Sequence, residues 1–483
     1  MKPQFKLTAF GLLLFSAITA GAQTAVPVAL DSCRSLAIHN NKQIRIAEEK
    51  IRAAGYTRSV ARAAYLPAID FSGTYLYSSN HTSLLDSDRY LPIMAFNSAT
   101  GKYEPKVVMQ PDGTPLMNPE TGLPVFAETA LLPKSELEKD MHNVFALGFT
   151  LTQPVYMGGE IRALNKIAHY GEEMQKSLRD QAVQDVTYAV DEAYWLVVSL
   201  SEKQKLAKKF CELIEEMRRN VEAMLQAGVA TQSDMLQTDV RYNEASLDLM
   251  RVENGLSLAR MALAEVCGLP VDTQMTLADE LAPQSPMETP MPEAVDMQQV
   301  FSRRNDLAAL RAAHSALLGK EKVAMASMLP KVGLTASYLW TNPNINNGFA
   351  NSFAGGFHAG VAVTVPLWHW GGNYNKYRAA KSEALAFELT IEDAEEKVTL
   401  QVRQARFKYS EAFNTYAKAE SSIRAAEQNL ANAEEGFKEG VMTMTDVNAA
   451  QTAWLKAFSE KIDAEIGIRL CRSYLTKVMG LPL

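Results

Sequence analysis

Four stretches of this chain alternate apolar with small or polar residues at period two. Ile69, Phe71, Tyr75 and Tyr77 alternate with Asp70, Ser72 and Thr74, and Phe145, Leu147, Phe149 and Leu151 with Ala146, Gly148, Thr150 and Thr152. Val332, Leu334, Ala336, Tyr338 and Trp340 are set against Lys331, Gly333, Thr335 and Ser337. Phe357, Ala359, Val361, Val363, Val365 and Leu367 are set against His358, Gly360, Ala362 and Thr364. Successive side chains of a strand point to opposite faces, so the spacing predicts strands at about 67–77, 145–156, 331–340 and 357–368, each with one apolar face. Runs of about ten residues suit a tilted strand crossing a bilayer. Aromatics gather at the ends, Tyr75, Tyr77, Tyr338 and Trp340 at one level and Tyr156, Trp368 and Trp370 at the other, as the two girdles of a membrane barrel require. A soluble sandwich with one wet face gives the same alternation, but strands separated by very long helices make a poor sandwich. Four strands do not close a barrel, and an open edge in lipid leaves backbone groups unsatisfied, so one chain supplies only part of a wall.

Between the strand pairs the period changes. Residues 159–228 and 372–440 contain no proline, and as helices each would reach about 100 Å at ~1.5 Å per residue. In the second run Val402, Tyr409, Tyr416, Ile423, Leu430 and Phe437 recur every seven positions, with Ala405, Ala412, Ala419, Ala426 and Ala433 between them. Large residues at one seam position and alanine at the other let helices approach closely and supercoil to the left. Ala450, Ala457, Ala464 and Cys471 keep the spacing beyond a turn, and Leu206, Phe210, Leu213, Met217, Val221 and Met224 form a looser seam in the first run. The predicted helical hairpins span 159–267 and 372–480. A periplasmic coiled-coil adaptor or scaffold would carry such heptads too, but it has no use for four lipid-facing strands.

The two patterns repeat together. "TQPVYMGGE" aligns with "TVPLWHWGGN", Pro154 against Pro366; "LQAGVATQSDML" aligns with "FKEGVMTMTDVN", Gly228 against Gly440 and Asp234 against Asp446; "VCGLP" aligns with "VMGLP", Gly268 against Gly480. All four pairs lie 212 apart. "LPAIDFSGTYLY" and "LPKVGLTASYLW" place Pro67 against Pro330, 263 apart, so the first half carries about 51 more residues between its two strands. The chain therefore reads as two repeats, 23–270 and 296–483, joined by a Pro-rich linker over 271–295. The excess falls in a loop at 78–143, whose "QPDGTPLMNPETGLP" is rich in turn formers and suggests a surface hairpin.

Residues 1–22 have the form of a secretory signal peptide: Lys2 and Lys6, an apolar run from Leu7 to Ala20, and the small-x-small ending Ala20-Gly21-Ala22. Its removal would take the formal net charge from -7 to -9, a poor match for nucleic acid. Cys33, Cys211, Cys267 and Cys471 are few and scattered among helical patterns, which favours unpaired thiols over a disulfide framework. No metal-ligand spacing, nucleophile elbow or phosphate loop is present, so the sequence suggests neither cofactor nor catalysis.

Strand pair, long hairpin, repeated strand pair and repeated hairpin, behind a signal peptide, resemble the TolC family of outer-membrane efflux and secretion channels. The most specific marks are the turns "AGVATQSDML" and "EGVMTMTDVNAA" and the closing "GLP" phrases. The resemblance implies an internally duplicated, mainly α fold in which a homotrimer shares a twelve-stranded barrel continued by a coiled-coil tunnel of helices. It places the protein in the outer membrane of a Gram-negative bacterium, with a long periplasmic portion. There it would be the exit duct of a tripartite efflux system, passively conducting small molecules delivered by an inner-membrane pump of RND or ABC type through a periplasmic adaptor. The outer-membrane channel of a type I protein secretion system is the alternative within the family. Gly228, Val229, Gly440 and Val441 match the adaptor-docking tips, and Asp234 and Asp446 match periplasmic gate aspartates; as helix caps the two aspartates have an equally good structural reading. Ala449 stands where some members carry a second aspartate, and Thr443 where some carry an arginine, so a gate here would rest on fewer ionic links.

Overall fold

The computed structural model describes residues 27–79, 82–83, 85–139, 142–281, 295–344 and 351–483. The expected signal peptide (1–22) and residues 282–294 of the expected linker lie outside the described residues.

Helices α1 (Leu30–Asn40) and α2 (Lys42–Ala63) lead into strand β1 (Ala68–Tyr77). The insertion that follows is a β-ribbon of short strands, β2 (Thr82–Ser83), β3 (Arg89–Pro92), β4 (Met94–Asn97), β5 (Lys102–Pro105), β6 (Thr129–Leu132) and β7 (Glu138–Lys139). Its pairs are nested, β2 with β7 and β3 with β6, while β4 and β5 form a local hairpin. Bridges Val107 to Phe126, Met109 to Pro115 and Met117 to Pro124 extend the ladder through the Pro- and Gly-rich stretch. The chain returns in β8 (Asn143–Met157), then α3 (Glu160–Gln226), α4 (Gln232–Val266) and the short α5 (Ala278–Leu281). The second half runs α6 (Met297–Arg303), α7 (Asn305–Ala326), β9 (Lys331–Asn342), β10 (Ala354–Thr364), α8 (Gly372–Lys438) and α9 (Met444–Val478).

The duplication holds to the residue at many element boundaries. From Glu160 to Gly372, Gln226 to Lys438, Gln232 to Met444 and Val266 to Val478 the offset is 212 throughout, and from Lys42 to Asn305, Ala63 to Ala326 and Ala68 to Lys331 it is 263. Helices α3 and α8 both have 67 residues, and α4 and α9 both have 35.

Two compact units result. One comprises Arg58–Lys166 and Gly319–Lys381 and holds the sheet; the other holds the rest of the chain. The sheet is antiparallel in the order β1-β8-β9-β10, which leaves β1 and β10 as edges within one chain. Strand β10 differs from the alternation-based expectation: it starts at Ala354 and stops at Thr364, short of Leu367 and Trp368. Its last partner is Lys331, and Pro330 before it offers no N–H to continue the ladder. At the other end Gly355 and Gly356 hide the start, because glycine carries no side chain to mark the period.

In the helical unit the seams pack as heptads. Val402, Ala405, Tyr409, Ala419, Ile423, Ala426, Leu430, Ala433 and Phe437 of α8 are buried, as are Ala450, Ala457 and Ala464 of α9. One core joins α1, α2, α3 and α4 through Ala37, Ile44, Val190, Tyr194 and Leu263; another joins α6 to α9 through Val300, Leu307, Val402 and Leu475. Each hairpin ends in a Schellman turn: Gly268 (φ 72°) donates to Glu265 and Leu269 to Ala264, while Gly480 (φ 69°) donates to Lys477 and Leu481 to Thr476. The two glycines abut the last residues of α1 and α6, Asn40 and Arg303. At the next position the Asn41 side chain donates to the Val266 carbonyl at 2.9 Å and Arg304 donates to the Val478 carbonyl at 3.0 Å. Two different side chains thus satisfy the same orphan carbonyl in the two repeats.

Candidate functional site

Two regions carry the functional reading, one in each unit. In the sheet, the pairing register sorts the alternating residues onto two faces. Phe71, Phe149, Tyr338 and Phe357 stand side by side across the four strands, and so do Ile69, Leu151, Ala336 and Ala359. The opposite face carries Asp70, Thr150, Ser337 and His358 in one row. Ring contacts run along the apolar side: Phe71 to Phe149 at 5.0 Å, Tyr75 to Phe145 at 4.9 Å, Phe149 to Trp340 at 6.2 Å and Tyr338 to Trp340 at 4.5 Å. Cross-strand pairs of this kind contribute about 0.2–1 kcal/mol each. Most of this face is nevertheless exposed in the single chain, Phe71 at 62% and Phe357 at 69%. A contiguous exposed apolar face of this kind marks an interaction or membrane-facing surface.

Of the aromatics expected together at one rim, Tyr75 and Tyr77 lie at the end of the sheet where β1 meets the start of β8, but the register sets Trp340 opposite Leu147, two positions further in, and Tyr338 in the mid-strand row of Phe71 and Phe149, so the four do not share one level. Tyr156 lies toward the other end, and it reaches the apolar face through a bulge. The register skips Val155, so that Tyr156 pairs with Val332 although Pro154 pairs with Gly333. Trp368 and Trp370 follow the last paired residue of β10; they are exposed and meet edge to face at 5.8 Å.

The second region is the pair of hairpin turns. After α3, Gly228 (φ 75°) donates to Leu225 and Val229 to Met224; after α8, Gly440 (φ 78°) donates to Phe437 and Val441 to Gly436. These are Schellman turns, and the space around both glycines is open. Val229 and Val441 project from them at 71% and 77% exposure. The next helices start with reciprocal caps. Thr231 Oγ1 accepts from the Asp234 N–H at 3.2 Å, while Asp234 Oδ2 accepts from the Thr231 N–H at 2.9 Å and its hydroxyl at 2.6 Å. Thr443 and Asp446 repeat this at 3.3, 2.9 and 2.6 Å. Such boxes stabilise a helix start by about 1 kcal/mol. The hydroxyl and backbone N–H of Thr231 hold the Asp234 carboxyl below its usual pKa, and those of Thr443 do the same for Asp446. Both carboxylates are thus engaged with their own caps.

The tips differ where sequence reading overlooked a compensation. Met224 on the first helix faces Ala230 on its turn; the equivalent pair in the second repeat is Gly436 and Met442, with the bulk exchanged. A Cβ on Gly436 would lie 2.9 Å from Met442 Cγ, so the glycine is what lets the methionine fold back. The signal was present in the 212-residue alignment as two simultaneous size changes. Beneath the tips Met217, Val221, Leu430, Phe437, Met444 and Val447 form a shared core. Arg218 bridges to Asp239 at 2.7 Å, and Arg241 donates to Thr452 at 2.7 Å, tying α4 to α3 and α9. Among the described residues no group of side chains could hold a metal ion, and no helix is long and apolar enough to cross a membrane.

Against known proteins, the Outer membrane efflux protein family matches residues 116–269 and 297–480. The chain belongs to this family. It is a protein of the outer membrane whose family and fold are those of efflux channels. The pyoverdine export outer membrane protein OpmQ of Pseudomonas aeruginosa is 24% identical over 344 residues, 69% of each chain. The outer membrane efflux protein BepC of Brucella suis is 24% identical over 347 residues, 71% of this chain and 73% of its own. Among solved structures, CusC superposes with a TM-score of 0.71 at 15% identity, covering 96% of this chain and 95% of that one. The open-state MtrE outer membrane channel of Neisseria gonorrhoeae superposes with a TM-score of 0.68 at 17% identity, covering 94% and 89%. The fold is thus the TolC-like one: a strand sheet and long helical hairpins.

Proposed function

We propose that three copies of this efflux protein join edge to edge, β10 of one against β1 of the next, into a closed wall that conducts small molecules out of the cell. The observation that carries this is the continuous apolar face on a four-stranded sheet with both edges unpaired. Closure gives every edge N–H and C=O a partner in lipid, and the small and polar face then lines a wet passage. Conduction is passive, and the driving energy comes from an inner-membrane pump of RND or ABC type acting through a periplasmic adaptor. Val229 and Val441, held out by Gly228 and Gly440, are apolar knobs on rigid turns suited to an adaptor's groove. Asp234 and Asp446 act as gate groups only through their caps. A carboxylate engaged by its own threonine favours cations at a constriction without needing a basic partner.

Export of small molecules is favoured over a type I protein secretion channel by the pyoverdine exporter among the relatives. The test is a gene deletion scored for retention of a fluorescent efflux substrate, complemented by the wild-type gene. Restored efflux supports the duct. Unchanged retention together with loss of a secreted protein would move the assignment to protein secretion, and recovery of the chain as a soluble periplasmic protein would make it a scaffold.

A further inference from the structure

Cys33 on α1 and Cys267 at the C-cap of α4 lie 234 positions apart in the chain, yet the fold brings them together. Both side chains are fully buried in the core that joins α1, α2, α3 and α4. The Cys267 Sγ is 3.7 Å from the Cys33 carbonyl oxygen, and in the structure both are free thiols. Cys211 and Cys471 belong to separate clusters. The repeat adds an independent observation. Offset by 263 and 212, the equivalent positions in the second half are Asp296 and Met479, so the pair occurs as a unit in one repeat and is missing as a unit from the other.

We propose that Cys33 and Cys267 are joined as a disulfide in the exported protein, clamping α1 to the base of the first hairpin. This rests on export into an oxidising compartment, where such bonds form and persist. The oxidant is the disulfide of a periplasmic thiol–disulfide oxidoreductase. One cysteine thiolate attacks that disulfide and releases one oxidoreductase thiol; the second cysteine attacks the resulting mixed disulfide and expels the other. The chain loses two protons and two electrons, and the oxidoreductase gains them as a dithiol. Burial sets the order of events. In the folded core both thiols are closed off from any oxidoreductase, so the bond forms before α1 docks. Closing so long a loop restricts the unfolded chain strongly.

The experiment counts thiols. Cells are quenched in acid, and the membrane and soluble fractions are denatured and reacted with a maleimide–polyethylene glycol that shifts the band once per thiol. The wild-type chain has four cysteines and is expected to take two labels, rising to four after reduction. Peptide mapping of the unreduced chain should recover a linked pair containing Cys33 and Cys267, lighter by two hydrogens than the separate peptides. C33S is expected to take three labels with or without reductant. Four labels on the unreduced wild type, or a linked pair involving Cys211 or Cys471, would overturn the proposal. The label count decides the disulfide, while the fraction holding the protein decides the export reading, so the two cannot fail as one.

Discussion

Gly268→Ala should be the most damaging of four chemically identical substitutions. Gly228, Gly440, Gly268 and Gly480 all end long helices at φ between 69° and 78°, so alanine at any of them meets the same left-handed strain, about 1–2 kcal/mol. The surroundings differ. At Gly228 and Gly440 an added Cβ meets nothing within 4 Å. At Gly480 it meets Arg303 backbone at 3.0 Å, and at Gly268 it falls 2.6 Å from the Asn40 carbonyl carbon and 2.7 Å from its oxygen. Backbone at 2.6 Å cannot rotate away, so α1 must shift. That shift strains the Asn41 bond to Val266 and the Arg34 ion pair with Asp191. Overpacking of this kind adds about 1–3 kcal/mol, for a total of about 2–5 kcal/mol at Gly268. Heat unfolding of a membrane assembly is irreversible, so the variants are compared by the midpoint of far-ultraviolet helical signal in detergent at one scan rate. The expected order of midpoints is wild type, then Gly228→Ala and Gly440→Ala together, then Gly480→Ala, then Gly268→Ala. A Gly268→Ala midpoint equal to that of Gly228→Ala would refute the packing of α1 over the closing turn.

The remaining predictions probe the two regions and the core. Phe149→Arg, on the apolar face, should cost up to about 2–4 kcal/mol of assembly and abolish the heat-modifiable oligomer, whereas Thr150→Arg on the other face should leave it intact; equal loss in both would contradict the face assignment. Val229→Asp with Val441→Asp should raise intracellular retention of an efflux substrate at unchanged outer-membrane levels, and normal efflux would remove the tips from adaptor docking. Asp234 and Asp446 have depressed pKa values, so their stabilisation of the tips is full above the usual carboxylate value of about 3.9 and is lost as pH falls through the native values. Hydrogen-exchange protection factors for residues 232–240 and 444–452 should drop on acidification below that range, and flat protection would argue against the caps. Arg34→Leu leaves Asp191, fully buried, without its 2.7 Å partner and should cost about 3–5 kcal/mol, while Arg34→Leu combined with Asp191→Leu should recover most of it in the same melting assay.

The fold class was legible because two periods, 2 and 7, are written side by side and then written again. Phe71, Phe149, Tyr338 and Phe357 could be assigned to apolar sides from alternation alone, but only the register puts them in one row. Alternation failed where side chains carry no signal or where the backbone breaks step. Gly355 and Gly356 concealed the start of β10, and the bulge at Val155 is silent in a pattern that counts residues. The tip glycines were visible through their repetition. Whether Asp234 and Asp446 cap a helix depends on the rotamers of Thr231 and Thr443, which spacing does not encode. The ion pair of Arg34 with Asp191 spans 157 positions and has no local signature.

The skipped residue in β8 has a consequence for how the seam between the two halves can be assembled. Two strands related only by hydrogen bonds can creep past one another a step at a time, and a wall built in oil from such strands would hold many near-equal alignments. Here Val155 acts as a notch: creep by one position would have to move the notch along the strand and take Tyr156 away from Val332. The strand that stitches the first repeat to the second therefore has one resting position, and the halves are keyed to each other within a single chain.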